Sequence, residues 1–181
     1  MEKAMDLKTS QGTKCVAISA DNRRCVTLDK SGLLTLWNID VRYFVSEDPK
    51  PLFSVDKALE ASISLSSSSG KNASQSMNED IQEEEEDPVV RQAFPNHVSQ
   101  LAFSPDGKIL ICIAGCHIKF LQIEENKKKI FPIALIRYAH QRSIDTLLVP
   151  QQISSSPFIL TAALDSRPQL WHLPDLSASS S

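Results

Sequence analysis

Short apolar runs separated by turn residues make up most of this chain. A first set covers residues 15–19, 24–28, 33–38 and 51–55, and Asp, Asn, Gly, Ser or Pro residues lie between the runs. Runs of about four to eight residues with such boundaries are typical of β-strands, whereas helices need longer stretches with apolar residues three or four apart. The pattern therefore predicts an all-β protein in which no helix of note is required.

The same pattern of strands recurs further along the chain. The later runs fall at residues 98–103, 108–114, 117–121, 130–136, 144–149, 158–163 and 169–172. Trp37, Leu121 and Trp171 hold equivalent places in three copies, with spacings of 84 and 50 residues. Removal of an insertion of about 37 residues makes the two spacings similar, and a period of about 40 to 50 residues with four short strands is that of a β-propeller blade. The sequence thus predicts a partial β-propeller of about three four-stranded blades.

A polar segment interrupts the first spacing. Residues 58–93 are rich in serine and contain seven acids and no base between Glu79 and Asp87. Such a segment buries too little apolar surface to offset the entropy lost on ordering. We expect a disordered Ser-rich and acidic insertion, and hence blades at residues 1–57, 94–138 and 139–176, the last one incomplete, with a disordered tail at 177–181.

Charge and hydropathy bear on whether the chain binds nucleic acid, spans a membrane or carries a secretory signal. The chain has 181 residues and a net charge of −3, and the acidic run alone carries −7, so the remainder is mildly basic. That excess is too small to indicate nucleic-acid binding by itself. No apolar run reaches the roughly 18 residues needed to span a bilayer, and residues 1–12 lack the apolar core of a secretory signal. We expect a soluble chain.

The four cysteines indicate neither a disulfide framework nor a zinc site. Cys15, Cys25, Cys112 and Cys116 lack the density of the former and the paired spacing of the latter. Cys112 and Cys116 lie near His117, but a metal site would need further ligands, and none is evident. Reduced, buried thiols in an intracellular compartment are the favoured interpretation.

The third copy resembles a WD repeat. His140 precedes its first strand, Thr161 lies in the second, Asp165 in the following turn and Trp171 in the third. These are the positions of the structural tetrad of the WD-repeat family, whose hydrogen bonds tie the strands within a blade. A hydrolase triad of His140, Asp165 and a nearby serine is the alternative, but a buried network satisfies these polar groups without a substrate.

The other two copies depart from the tetrad. The first has Thr27 and Trp37 but Ser31 at the position of the aspartate, and it has no preceding histidine. The second has His97 at the histidine position but Leu121 at the position of the tryptophan. Both are therefore expected to be degenerate repeats of the same fold.

Within the WD-repeat family, residues 21–24, 30–32, 36–38 and 40–43 resemble the C-terminal blades of a transducin beta-like member. The resemblance implies a non-enzymatic protein–protein interaction scaffold without cofactor, metal or catalytic residues. It implies a full-length parent at the cytoplasmic face of the endoplasmic reticulum, with a stress kinase of the unfolded-protein response and the translation apparatus as partners. This chain alone would be soluble and cytoplasmic, with no membrane insertion.

Basic residues in predicted turns are the candidate partner-binding side chains, and all are expected to be exposed. They are Arg23, Arg24, Lys127, Lys128, Lys129 and Arg142. The alternative is ordinary solvated loop charge. If these side chains converge on one edge, an acidic protein segment or an RNA or ribosomal surface would fit them, so an RNA- or ribosome-binding module is the alternative function.

Three blades are fewer than a closed propeller uses, which is about four to eight. Two blade faces should then be bare and should expose apolar strand residues to water. We expect these residues to include Val16, Ile18, Ile111, Ile113 and Leu170. We expect a fragment, a truncated isoform or an incomplete gene model of a longer propeller. Self-completion by pairing of two copies is the less favoured alternative.

Overall fold

The computed structural model describes residues 6–40, 48–60, 93–94, 96–150, 157–164 and 167–174. These residues form eleven strands in three antiparallel sheets. The first sheet holds β1 (Thr13–Ile18), β2 (Arg24–Asp29), β3 (Leu34–Asn38) and β4 (Lys50–Val55). The second holds β5 (Val98–Phe103), β6 (Ile109–Ala114), β7 (His117–Glu124) and β8 (Lys129–Ile136). The third holds β9 (Ile144–Leu148), β10 (Phe158–Ala163) and β11 (Gln169–His172).

Each sheet is a meander, because strands that follow one another in the chain are also hydrogen-bonded neighbours. The predicted all-β class and the partial propeller are confirmed, and each predicted strand agrees with an observed one to within about three residues. One short 3-10 helix, Glu125–Lys127, connects β7 to β8. Among the described residues, no helix has the length and apolar character that crossing a membrane requires.

Contacts between the first strands hold successive sheets together. The Cys15 thiol donates to the Val98 carbonyl over 3.6 Å, which joins β1 to β5. The side chain of Gln100 donates to the Asp145 carbonyl over 2.7 Å, which joins β5 to β9. The three sheets therefore stack as a wedge, with their first strands as nearest neighbours.

The second sheet lies between the other two and buries both faces. One face packs on the first sheet through residues such as Leu28, Leu36 and Leu121. The other packs on the third sheet through residues such as Phe120 and Ile159. A continuous apolar run such as β6 is what a strand covered on both sides requires.

The two outer faces of the wedge carry exposed apolar side chains. Val16 and Ile18 of the first sheet are 55% and 57% exposed, and Leu170 of the third sheet is 57% exposed, as predicted. The prediction was wrong for Ile111 and Ile113, which are completely buried. They belong to β6 and face the third sheet, so a neighbouring blade covers them.

Both ends of the predicted insertion reach the core. Ala58 and Leu59 on one side, and Ala93 and Phe94 on the other, are buried in the cluster between the first and second sheets. Ala58, Leu59 and Ala93 fall within the predicted insertion, and the structure places them in the core instead. The rest of that segment, from residue 61 to 92, lies outside the described residues, so its disorder stays a prediction.

Turns alternate between two edges of the wedge because each sheet is antiparallel. We call the lower edge the one that carries the β1–β2, β5–β6 and β7–β8 turns, namely residues 19–23, 104–108 and 125–128. We call the upper edge the one that carries the β2–β3 and β6–β7 turns and the β8–β9 connection, namely residues 30–33, 115–116 and 137–143. Candidate functional side chains can therefore be assigned to one edge or the other.

Candidate functional site

Three of the four predicted tetrad residues meet in the third sheet. Nε2 of His140 lies 2.9 Å from the Thr161 hydroxyl, and the Trp171 indole N–H donates to that hydroxyl over 2.8 Å. His140 and Thr161 are buried. Asp165 lies outside the described residues, so the complete tetrad stays a prediction. Because two side chains already engage the Thr161 oxygen, the arrangement favours a structural network over a hydrolytic nucleophile.

The first sheet repeats the threonine–tryptophan contact. The Trp37 indole N–H donates to the Thr27 hydroxyl over 2.9 Å. At the expected position of the aspartate, the Ser31 hydroxyl donates to Asp29 over 2.6 Å. The carboxylate of this turn therefore comes from β2 itself, two positions before the one that the repeat pattern assigns.

Asp29 is a buried turn residue that sequence reasoning missed. Its carboxylate accepts the backbone N–H groups of Ser31 and Leu33 over 2.9 and 3.0 Å and the Ser10 hydroxyl over 3.1 Å. Burial raises the pKa of Asp29, but these hydrogen bonds and the one from the Ser31 hydroxyl outweigh burial, so the pKa lies below its ordinary value. The sequence signal was an Asx-type turn, since Asp-Lys-Ser-Gly favours side-chain bonds to following N–H groups.

The second sheet fills the tetrad positions with other chemistry. Strand register places Leu121 at the position of the tryptophan and Cys112 at that of the threonine, and both are buried. Burial raises the pKa of the Cys112 thiol, which therefore stays protonated. His97, expected at the histidine position, is exposed. The repeat is degenerate here, as predicted, and a polar residue outside the tetrad positions is buried instead.

Lys119 is a buried polar residue of the second sheet. It pairs with Cys112 across the strands β6 and β7 and is only 2% exposed. Its ammonium donates to the Leu59 carbonyl over 2.8 Å and lies 5.1 Å from the centre of the Phe94 ring. A buried charge needs compensating contacts, and here Leu59 supplies a hydrogen bond and Phe94 a cation–π contact. Sequence reasoning missed Lys119, although a lysine at an inward position of an apolar strand was a usable signal.

Arg24 joins two sheets at the lower edge. Its guanidinium donates to the Gly107 carbonyl over 3.2 Å and pairs with the Glu125 carboxylate at 2.6 Å. It also lies 5.9 Å from the Phe103 ring centre. Gly107 has a φ of +69°, and a Cβ there would lie 2.0 Å from a guanidinium nitrogen, so this close approach requires glycine.

The expected exposure of Arg24 was therefore wrong, since only 20% of its side chain is accessible. The exposure of the other five candidates agrees with the prediction. Arg23 lies 3.6 Å from Asp40 and Lys127 lies 3.0 Å from Glu124, so each has a nearby acid. Lys128 adopts the left-handed conformation at the end of the 3-10 helix, and Lys129 begins β8.

Arg142 lies on the opposite edge. It borders a shallow open depression of about 560 Å³ that Ser143, Asp145 and Leu164 also line. The structure thus brings Arg23, Arg24 and Lys127 to Lys129 to the lower edge and leaves Arg142 at the upper edge. The basic side chains do not converge on one site.

The described part of the chain contains no group of three or more His, Cys, Asp or Glu side chains that could hold a metal ion. Cys15, Cys25 and Cys112 are buried free thiols, whereas Cys116 is partly exposed.

Comparison with known proteins gives a clear result for the fold alone. No protein-family model matches the chain, and no curated protein matches it. The solved complex of KlAtg21 with the coiled coil of AgAtg16 superimposes with a TM-score of 0.55 and 13% identity, over 93% of this chain and 39% of that one. The structure of U3-55K gives 0.51 and 13%, over 92% and 38%.

A crystal structure of the RRP9 WD40 repeats is similar too, with a TM-score of 0.50 and 13% identity, over 92% of this chain and 37% of that one. The chain spans less than two fifths of the length of each of these structures. Because the likeness extends over more than nine tenths of the chain and the described residues form three antiparallel meander sheets, we conclude that the chain folds as part of a WD40-type β-propeller.

Proposed function

We propose that the chain is a non-enzymatic protein–protein interaction scaffold that binds partners through its lower edge. The observation that carries this proposal is the fixed junction of turns from two sheets at that edge. Arg24, from the first sheet, contacts Gly107 and Glu125, which lie in two different turns of the second. Rigidly held turns on a propeller are suited to recognition, and the fold itself implies no chemistry.

The side chains at this edge favour an acidic protein segment. Arg23, Lys127, Lys128 and Lys129 are exposed there and supply four positive charges. Acidic side chains at the same edge offset much of that charge, which favours a partner of alternating charge over a uniform polyanion. They are Asp21, Asp40, Asp106, Glu124 and Glu125. In the KlAtg21 complex, a protein of this fold binds a coiled coil, which supports a protein as the class of partner.

The finer identity rests on sequence. From the resemblance to the C-terminal blades of transducin beta-like protein 2, we infer a longer parent at the cytoplasmic face of the endoplasmic reticulum. The same resemblance suggests a stress kinase and the translation apparatus as partners. These assignments, and the blade boundaries at residues 57, 94 and 139, stay predictions.

The test is quantitative affinity capture with the full chain from nuclease-treated cell extract. The variant Lys127→Glu/Lys128→Glu/Lys129→Glu reverses the charge of the lower edge. We expect it to lose bound proteins at least about tenfold, because repulsion replaces attraction at each contact. Each retained protein is then purified and titrated directly against both forms.

Arg142→Glu is the matched control, since it reverses an exposed charge at the upper edge, and it should bind as the unmodified chain does. Equal losses in both variants would contradict the assignment to the lower edge. Proteins captured only from a parallel extract without nuclease, whose binding added RNA restores with a steep salt dependence, would establish the RNA-binding alternative instead.

A further inference from the structure

Each interface between neighbouring sheets brings two unlike faces together. Trp171 packs toward the second sheet, and Leu121, at the same repeat position, packs toward the first. Trp37 lies on the side of the first sheet that points away from the second, because its neighbour Leu36 packs toward the second sheet and side chains alternate along a strand. We call the side with the tryptophan position the front face of a sheet and the opposite side its back face. At both interfaces, a back face packs on the front face of the next sheet.

The two outer faces of the wedge are therefore complementary in kind. One is the front face of the first sheet, where Val16 and Ile18 of β1 are 55% and 57% exposed. The other is the back face of the third sheet, where Leu148 of β9 and Leu170 of β11 are 55% and 57% exposed. An outer back face can thus pack on an outer front face as the sheets inside the chain do, with apolar side chains on both sides.

A repeated hydrogen bond aligns the first strands at each interface. Cys15, the third residue of β1, donates to the Val98 carbonyl of β5 over 3.6 Å. Gln100, the third residue of β5, donates to the Asp145 carbonyl of β9 over 2.7 Å. The third residue of β9 is Thr146, which is exposed and carries a hydroxyl donor. The third sheet therefore has a donor for one more interface of this kind, and the matching acceptor is a carbonyl at the start of β1.

The number of blades in a ring selects the occupant of the outer faces. One chain supplies three sheets, and closed propellers use about four to eight blades. A second copy of the chain brings the number to six and presents one outer front face and one outer back face of its own. All four outer faces are then covered at once. A twofold rotation relates the two copies, so the assembly is closed.

We propose that two copies of this chain close a six-bladed ring, in which the outer back face of each copy packs on the outer front face of the other. The Thr146 hydroxyl of each copy donates to a carbonyl at the start of β1 in the other. The ring does not depend on the scaffold function, because the lower edge stays accessible in both copies. Since the twofold axis runs along the ring axis, both lower edges lie on the same side of the ring, and a partner with two binding segments gains avidity.

The first experiment measures the mass of the full chain by size-exclusion chromatography with multi-angle light scattering over a range of concentrations. We expect a species of twice the chain mass of 20.1 kDa, which dissociates on dilution. A mass of one chain at every concentration would overturn the proposal. A mass that keeps rising with concentration would overturn it too, because contacts between unlike faces that do not close build an open row of copies.

Charge variants test the pairing of unlike faces. Ile18→Lys changes the outer front face and Leu148→Glu changes the outer back face, and each alone should raise the dissociation constant at least about a hundredfold, since both interfaces of the dimer then bury a charge. An equimolar mixture of the two should recover a dimer, because one interface is unmodified and the other pairs opposite charges. Tyr138→Lys is the matched control at the upper edge, where Tyr138 is 56% exposed, and it should dimerise normally.

Two results of this experiment contradict the pairing, provided that near-ultraviolet circular dichroism shows each variant to be folded. If Leu148→Glu dimerises normally while Ile18→Lys does not, like faces pair with each other. If the mixture stays monomeric, the two faces do not meet.

Thr146→Val tests the alignment of the first strands. The variant keeps the shape of the side chain but removes one hydrogen bond from each interface, so the dissociation constant should rise about tenfold. Thr146→Ser retains the hydroxyl and should stay within about threefold of the unmodified chain. Equal dissociation constants for the valine and serine variants would overturn the role of Thr146.

Discussion

The two interfaces between neighbouring sheets bury equivalent repeat positions with different chemistry. Between the second and third sheets, Thr161 links His140 and Trp171 in a hydrogen-bonded network. Between the first and second sheets, Cys112 and Leu121 occupy the matching positions, and Lys119 is the buried polar group. Both interfaces are closed, although only one has the residues that mark the repeat.

The difference shows what the stacking of blades requires. An interface must fill its volume at interior density and must satisfy each buried polar group. The third sheet meets the second condition with Thr161 and Trp171 from its own strands and with His140 from the connection before β9. The second sheet meets it with Leu59 and Phe94, which lie at the ends of the insertion. A degenerate repeat can therefore stack well if another segment supplies the missing partners.

The largest expected effect comes from Lys119→Ala. This change creates a cavity and leaves the Leu59 carbonyl without its donor, so we expect a loss of about 4 kcal/mol in the free energy of unfolding. Urea titration followed by the fluorescence of Trp37 and Trp171 measures it. Lys119→Met, which keeps most of the volume, should lose about 2 kcal/mol. A loss below about 0.5 kcal/mol, as expected for the exposed control Lys129→Ala, would contradict the role of Lys119.

A smaller effect is expected from Thr161→Val, which keeps the shape of the side chain but removes the shared hydroxyl. Both His140 and Trp171 lose a partner, so the expected loss is about 2 kcal/mol. Thr27→Val is the matched variant in the first sheet, where the hydroxyl contacts Trp37, and it should lose about 1 kcal/mol. Thermal unfolding of both variants compares them, and equal losses would show that His140 adds nothing to the network.

Arg24→Ala tests the interface between the first and second sheets at the lower edge, where solvent reaches it. The ion pair with Glu125 is partly solvated, so packing on Phe103 and the bond to Gly107 carry most of an expected loss of about 1 kcal/mol. Arg23→Ala is the adjacent control, with an exposed pair to Asp40, and should change stability by less than about 0.5 kcal/mol. If both variants behave alike in urea titration, the junction at the lower edge is not a stabilising contact.

The smallest effect concerns the acid stability of Asp29. Its hydrogen bonds hold the folded pKa below the ordinary value of 3.8. The stability contributed by the carboxylate is then complete above the ordinary pKa, and it is lost as pH falls through the folded pKa. Asp29→Asn lacks this component, so the difference in the free energy of unfolding between the variant and the unmodified chain should decrease as pH falls from about 5 to about 2. A difference that stays constant in urea titrations at the two pH values would contradict this assignment.

The sequence predicted the strands well because local patterns determine them. Ser104-Pro105-Asp106-Gly107 sets a turn by itself, and β6 is an unbroken apolar run. Periodicity also separates the two faces of each strand. It does not reveal which sheet covers a face, and for that reason Ile111 and Ile113 were assigned to solvent although the third sheet buries them.

The candidate site was predicted less completely because its contacts are distant in sequence. Thr161 and Trp171 follow from repeat spacing, since both lie on adjacent strands of one blade. The bond from Arg24 to Glu125 spans 101 residues, and the bond from Lys119 to Leu59 spans 60. Neither periodicity nor turn chemistry carries information over such distances. For that reason the sequence predicted Arg24 as an exposed loop residue and did not indicate that Lys119 joins two distant segments.

The buried ammonium of Lys119 has a practical consequence for protein engineering. It contacts Leu59 and Phe94, so the chain leaves the core and returns to it at one point. The free energy of closing a flexible loop changes by only about 0.6 kcal/mol for each doubling of its length. Given the insertion that the sequence predicts between these two anchored ends, we expect the fold to accept a fluorescent reporter, an epitope or a protease recognition sequence in place of residues 61–92.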